Sequence, residues 1–215
     1  MGERNIISAE FYDRQVTEVA RSLLGKRLVR MIDGVRVSGI ISETEAYDGM
    51  EDLACHARVG KTKRNAVMFG AAGHAYVYFT YGMHWCLNIV TGTMDYPAAV
   101  LIRAIQPQEG LEIIEMSRGK ALRKNWTNGP AKLTQALQIN HLQNGLDITG
   151  LDGNLWIEDG MNMNSAYVKS GPRIGIENTR NPGAVNRGVS GLKIWNLYHD
   201  QVGNYNFDYD PFNGM

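Results

Sequence analysis

Cysteine is scarce in this 215-residue chain: Cys55 and Cys86 are the only two. Two thiols cannot staple a small secreted scaffold, and nothing points to an oxidising compartment. No apolar run has transmembrane length, and the N-terminus lacks the layout of a signal peptide. These absences predict a cytoplasmic protein, or a nuclear one in a eukaryote, neither secreted nor held in a membrane. No Cys/His spacing matches a zinc motif, and His56, His74 and His84 are spread too irregularly to suggest a metal. Net charge is missing too: 22 basic residues balance 22 acidic ones. That counts against coating nucleic acid by bulk attraction, but not against a localised basic footprint.

Acidic residues are absent from residues 53–94. The same stretch holds Arg58, Lys61, Lys63 and Arg64, together with Tyr76, Tyr78, Tyr81 and Trp85. Cations that neutralise phosphates, interleaved with rings that stack on bases, suit nucleic acid. The pattern fits equally a solvated basic loop followed by an ordinary aromatic strand. A second basic cluster comprises Arg118, Lys120, Arg123 and Lys124.

There is no internal repeat, low-complexity block or clear linker. Residues 9–24 read as one amphipathic helix, with Ser8 as cap and Gly25 as stop. Residues 27–32 and 35–43 read as a hairpin around Asp33-Gly34. Residues 75–81 and 85–91 read as a second hairpin, and residues 99–105 as a further strand. Helices are expected over residues 109–118 and 130–139, and short strands near residues 155–158 and 167–169. This is a mixed α+β pattern: a curved, mostly antiparallel sheet with surrounding helices and a protruding β-hairpin. Residues 1–200 are expected to form one domain, and residues 201–215 an acidic, poorly ordered tail.

Val35, Val37 and Ile41 share strand parity with Glu43 and Glu45, so an apolar face is expected to turn acidic at its end. A carboxylate desolvated there gains basicity. The plain alternative is a strand end whose acids meet solvent. Arg103 lies among Ala99, Leu101 and Ile105, where it needs a partner: either a structural ion pair or Glu45.

Longer motifs carry a resemblance. Glu43-Thr44-Glu45-Ala46-Tyr47, Ala54-Cys55-His56-Ala57-Arg58 and Arg64-Asn65-Ala66-Val67-Met68-Phe69 occur in order. Gly73 to Met83, Cys86-Leu87-Asn88 and Val100-Leu101-Ile102-Arg103-Ala104 follow. The chain resembles the alkyladenine (3-methyladenine) DNA glycosylase family from about Val19 to about Ile176. The resemblance implies Glu45 as general base and Arg103 as a holder of the nucleophilic water. It implies Tyr47, His56 and Tyr78 as walls around a flipped base, and Asn88 as a screen of exocyclic groups. Tyr81 is implied as a minor-groove wedge, and the carbonyl of Ile176 as a further water ligand. The basic residues Arg58, Lys61, Lys63 and Arg64 are expected on the DNA backbone.

Near the C-terminus the family's usual Arg-Phe pair and aromatic strand give way to Gly191-Leu192-Lys193-Ile194-Trp195, which puts the final strand in doubt. The implied activity is hydrolysis of the N-glycosidic bond of alkylated or deaminated purines in double-stranded DNA, by a monomer without metal or organic cofactor. No Lys stands where a Schiff-base nucleophile is expected, so the activity is expected to be monofunctional. An electron-rich ring cage is expected to suit a cationic purine. A catalytically weak nucleic-acid-binding module and a nucleoside hydrolase are the alternatives; the basic stretches disfavour the latter.

Overall fold

The computed structural model describes residues 5–161, 168–173 and 193–197. The expected first helix is two: α1 (Ala9–Tyr12) and α2 (Val16–Ser22). The break has a local cause. Arg14 Nε donates to the Phe11 carbonyl at 2.8 Å, and its guanidinium sits 4.6 Å from the centre of the Phe11 ring. Gln15 is extended rather than helical. The expected apolar face survives the break, since Tyr12, Val16, Val19, Ala20 and Leu23 are all buried. Ser8 makes no side-chain capping bond to the helix.

Strands β1 (Arg27–Ile32) and β2 (Val35–Asp48) pair antiparallel around Asp33-Gly34. Both turn residues are left-handed, with φ of 48° and 81°, the geometry that a two-residue hairpin needs. Strand β2 runs beyond the expected Glu43 because Ala46, Tyr47 and Asp48 continue pairing with β5 (Ala98–Glu109). The second hairpin joins β3 (Ala75–Thr80) to β4 (His84–Val90). Strand β6 (Leu155–Glu158) pairs with β1, and β7 (Val168–Pro172) pairs with β8 (Lys193–Leu197). The sheet order is β3-β4-β5-β2-β1-β6, with β8 joining the far half of β2. All these pairings are antiparallel. A final strand therefore forms at Lys193–Leu197, despite the altered sequence there. The tail over residues 201–215 lies outside the described residues.

Helices α3 (Leu111–Arg118) and α4 (Pro130–Ala136) accompany α2 on the core side of the sheet. Thr44 Oγ1 donates to the Ala20 carbonyl, and Thr134 Oγ1 to the Trp85 carbonyl, both at 2.9 Å. The main core takes Val37, Ile41 and Ala46 from β2, and Val100, Ile102 and Ile105 from β5.

That list corrects the parity argument. Core-facing positions are odd up to Ile41 and even by Ala46; on β5 they are even up to Ile102 and odd at Ile105. The register slips three times between these strands, near Gln108, at Ser42 and at Arg103, and the last two flank the acidic end of β2. A bulge inserts one residue and flips the faces beyond it. Glu43, Glu45 and Tyr47 are thereby turned away from the helices, as are Leu101 and Arg103. Ile105 is on the opposite face from Arg103, contrary to the simple alternation.

Candidate active site

The face opposite the helices carries most of the candidate residues. Paired positions lay Tyr76, Asn88, Leu101 and Glu45 in one row across β3, β4, β5 and β2. Tyr78 and Tyr47 flank this row on the same face. A smaller cluster of Cys55, Ala57, Met68, Phe69, Tyr76, Val90 and Ala99 supports it. Two short 3-10 turns, His56–Val59 and Ala66–Phe69, hold the loop above.

Arg103 forks between two carboxylates. Its Nε donates to Glu43 Oε1 at 3.0 Å, and its Nη1 to Glu45 Oε1 at 3.1 Å. Tyr47 OH donates to Glu45 Oε2 at 2.9 Å. The Glu45 side chain is only 1% exposed and that of Glu43 6%. Burial, reinforced by Glu45, raises the Glu43 pKa despite the facing guanidinium. Burial pulls against the Arg103 charge, but Glu45 and Glu43 outweigh it and its pKa is raised. Burial and Glu45 push the Tyr47 hydroxyl up, so it stays a donor.

A cavity of about 480 Å³ opens in front of this network, lined by Tyr47, His56, Tyr76, Tyr78, Tyr81 and Asn88 among others. Arg58 and Arg64 also line it, and no Asp or Glu does among the described residues. Glu45 and Arg103 do not line it; Tyr47, which donates to Glu45, does. The His56 and Tyr78 ring centres are 4.3 Å apart, edge to face. A base stacked between two rings needs roughly 7 Å, twice the contact distance, so there is no room for a base between these two as they stand. Burial, then Arg64, lowers the His56 pKa, and the ring Nδ1 lies 3.0 Å from the Tyr76 hydroxyl. Burial holds that hydroxyl at about 12. Asn88 Nδ2 donates to the Tyr76 carbonyl at 3.1 Å, which fixes the amide's orientation.

Tyr81 occupies the β3–β4 turn with φ of 51°, and is 88% exposed. A bulky residue held left-handed is strained, and such strain collects at functional positions. Met83 beside it is 68% exposed. Arg58, Lys61, Lys63 and Arg64 are all exposed. Arg64 is braced, donating to the Phe79 carbonyl at 2.9 Å with its guanidinium 5.8 Å from the centre of the Tyr78 ring. Ile176 lies outside the described residues. Among the described residues no group of three His, Cys, Asp or Glu side chains could hold a metal ion. None of their helices is long and apolar enough to cross a membrane.

Three participants escape sequence reasoning. Tyr76, to which the motifs assign no role of its own, is buried and still lines the cavity. Asn65 accepts from Thr62 N at 2.6 Å and donates to the His56 and Gly60 carbonyls, shaping the basic loop. Arg173 grips Asp52 with two bonds of 2.6 and 2.7 Å. Membership of the matched Arg64-to-Phe69 motif could have flagged Asn65. The Asp52–Arg173 pair has no local signal.

The pattern of the methylpurine-DNA glycosylase (MPG) family matches residues 10–199. A Methanocella arvoryzae protein named "Putative 3-methyladenine DNA glycosylase" is 46% identical over 194 residues, spanning 90% of this chain and 92% of its own. A protein of the same name from Carboxydothermus hydrogenoformans is 53% identical over 145 residues, covering 67% of this chain and 75% of its own. One from Clostridium acetobutylicum is 45% identical over 177 residues, covering 78% and 85% respectively. The chain belongs to the methylpurine-DNA glycosylase family and is, by that membership, a DNA glycosylase. The match reaches residue 199 and so takes in the altered C-terminal strand.

Proposed function

We propose that this chain excises alkylated or deaminated purines from double-stranded DNA and leaves an intact abasic site. The observation that carries the reading is the Arg103–Glu45–Tyr47 network, which joins a ring-lined cavity through Tyr47. A duplex hides the glycosidic bond, so the damaged nucleotide is rotated out. Tyr81, on an exposed hairpin tip, fills the gap it leaves in the stack. Arg58, Lys61, Lys63 and Arg64 meet the phosphates.

The extruded base stacks against Tyr47, His56 and Tyr78, which contributes roughly 1–3 kcal/mol per base. Its entry parts His56 from Tyr78. Asn88, with its amide fixed on the Tyr76 carbonyl, presents a polar edge that discriminates between exocyclic groups. The Ile176 carbonyl is a further candidate ligand for the water.

In the chemical step, water oxygen bonds to C1′ as the bond from C1′ to the base breaks. The electron pair leaves with the base, and the water proton passes to Glu45. Arg103 orients the carboxylate, and Tyr47 holds its other oxygen. The carboxylate also opposes the positive charge that develops on the sugar. Base and sugar separate without a covalent enzyme intermediate, so the activity is monofunctional. The protein works as a monomer in the compartment that holds the DNA.

The test is a labelled duplex carrying one hypoxanthine or ethenoadenine, incubated with protein and then treated with alkali. Strand scission only after alkali supports the reading. Scission before alkali contradicts monofunctional hydrolysis. Binding without any scission refutes excision itself.

A further inference from the structure

Arg173 stands at the end of β7 and reaches back to the catalytic strand. Both its side chain and that of Asp52 are nearly sealed, 1% and 2% exposed. Besides gripping Asp52, Arg173 Nη1 donates to the Ala46 carbonyl at 3.0 Å. Its guanidinium lies 4.6 Å from the centre of the Tyr47 ring. Asp52 in turn accepts from the backbone of Asp48 and Ala54, at 3.2 and 3.0 Å, and so fixes the loop that leads to His56. Tyr47 lines the cavity and Arg173 does not. The guanidinium therefore bears on the Tyr47 ring without itself lining the cavity.

Two cations thus bear on two of the base-facing rings: Arg173 on Tyr47, and Arg64 on Tyr78. A ring that already faces one cation offers less to a second, because both draw on the same quadrupole. Charge on the leaving base points the same way. A neutral purine departing with the bond electrons gains negative charge, which Arg64, bonded to a carbonyl rather than a carboxylate, stabilises more than Arg173, whose charge Asp52 largely offsets. A cationic purine departing loses its positive charge and gains nothing comparable from them. This departs from the simple electron-rich cage that the aromatic residues suggest.

We infer that Arg173, clamped by Asp52 against Tyr47, is a positioning and specificity-determining residue that tilts excision towards neutral purines, with Arg64 acting likewise from the Tyr78 side. The inference rests on the glycosylase reading and names the substrate class of that same cavity.

The test is a competition in one tube between two differently labelled duplexes, one carrying 7-methylguanine, a cationic base, and the other hypoxanthine. The ratio of the two rates cancels differences in folded fraction and in overall DNA affinity. Arg173→Gln alone strands a buried carboxylate and is expected to fold poorly. Asp52→Asn with Arg173→Gln removes both charges together and is the deciding variant. It should raise the cationic-to-neutral ratio about fivefold over wild type. Arg64→Gln, at an exposed position, should raise it about twofold. Arg173→Lys keeps the charge and should leave the ratio within about twofold of wild type. If the double variant slows both substrates equally, Arg173 is merely structural and the inference falls. An unchanged ratio in Arg64→Gln removes Arg64 from it. Wild-type protein that excises neither base defeats the glycosylase reading instead, so the two failures are distinct.

Discussion

Replacing Arg103 by Met isolates the electrostatics of the site. In the native protein one guanidinium faces two carboxylates at 3.0 and 3.1 Å. At such distances and an effective dielectric near 20, each contact has a gross attraction of about 5 kcal/mol. Desolvation of three buried charges offsets most of that, so the sum is no guide to net stability. The useful bound comes from what the variant can do instead. With the cation gone, two buried carboxylates face each other, and Glu43, whose pKa is already raised by burial and by Glu45, takes a proton. Protonating a glutamate of ordinary pKa requires about 4 kcal/mol at pH 7 and about 1 kcal/mol at pH 5. Arg103→Met should therefore lose about 4 kcal/mol at pH 7 and about 1 kcal/mol at pH 5. The sign follows from proton counting: in this window the folded variant holds one proton more than its unfolded chain, so its stability falls as pH rises. Urea denaturation of wild type and variant at pH 5, 6 and 7 reads the effect. Adding Glu43→Gln should remove the pH slope. A loss below about 1 kcal/mol at pH 7, or one that does not change with pH, refutes the reasoning.

Glu45→Gln should retain binding to lesion-bearing duplex and lose excision by at least about 100-fold, as measured under single turnover; comparable activity removes Glu45 from the mechanism. Tyr47→Phe deletes one hydrogen bond to a carboxylate, worth about 1.5–3 kcal/mol, and should slow excision by at least about tenfold with little change in duplex affinity. Tyr81→Ala should leave thermal stability within about 0.5 kcal/mol, because the ring is exposed, while depressing excision from duplex more than from single strands. His56 stays neutral in the folded protein to a lower pH than in the unfolded chain. Its contribution to stability is therefore present above about pH 6.5 and declines as pH falls; His56→Gln should flatten that part of a urea-midpoint profile.

Some of this architecture is legible locally and some is not. Asp33-Gly34 marks its hairpin because the turn demands left-handed residues, and the strands flanking Gly82 announce themselves by their β-branched and aromatic content. Arg103 meets both Glu43 and Glu45, but not for the reason that alternation offers. Val37, Ile41, Glu43 and Glu45 look like one unbroken face. The bulges that separate them lie in the register between two distant strands, and neither strand's pattern records it. The first helix misleads in a different way: its apolar spacing is intact, and the break comes from Arg14 folding back on Phe11. The Asp52–Arg173 pair joins residues 121 positions apart, a distance over which no periodicity speaks. Tyr76 looks like core because it is core, and only the cavity beside it reveals a second duty.

The matched bulges on β2 and β5 make the two strands interdependent in length. Deleting Ser42 alone would swap the neighbours of everything from Glu43 to Asp48, sending acids into the helix-facing layer and Thr44 and Ala46 to the face that holds the ring-lined cavity. A compensating deletion at Arg103 would remove the very group that the acids need. A homologous chain that keeps the Glu43–Arg103–Glu45 network must therefore keep a count of residues, not only their kinds, and a one-residue gap inside either stretch would mark a relative in which the three no longer meet.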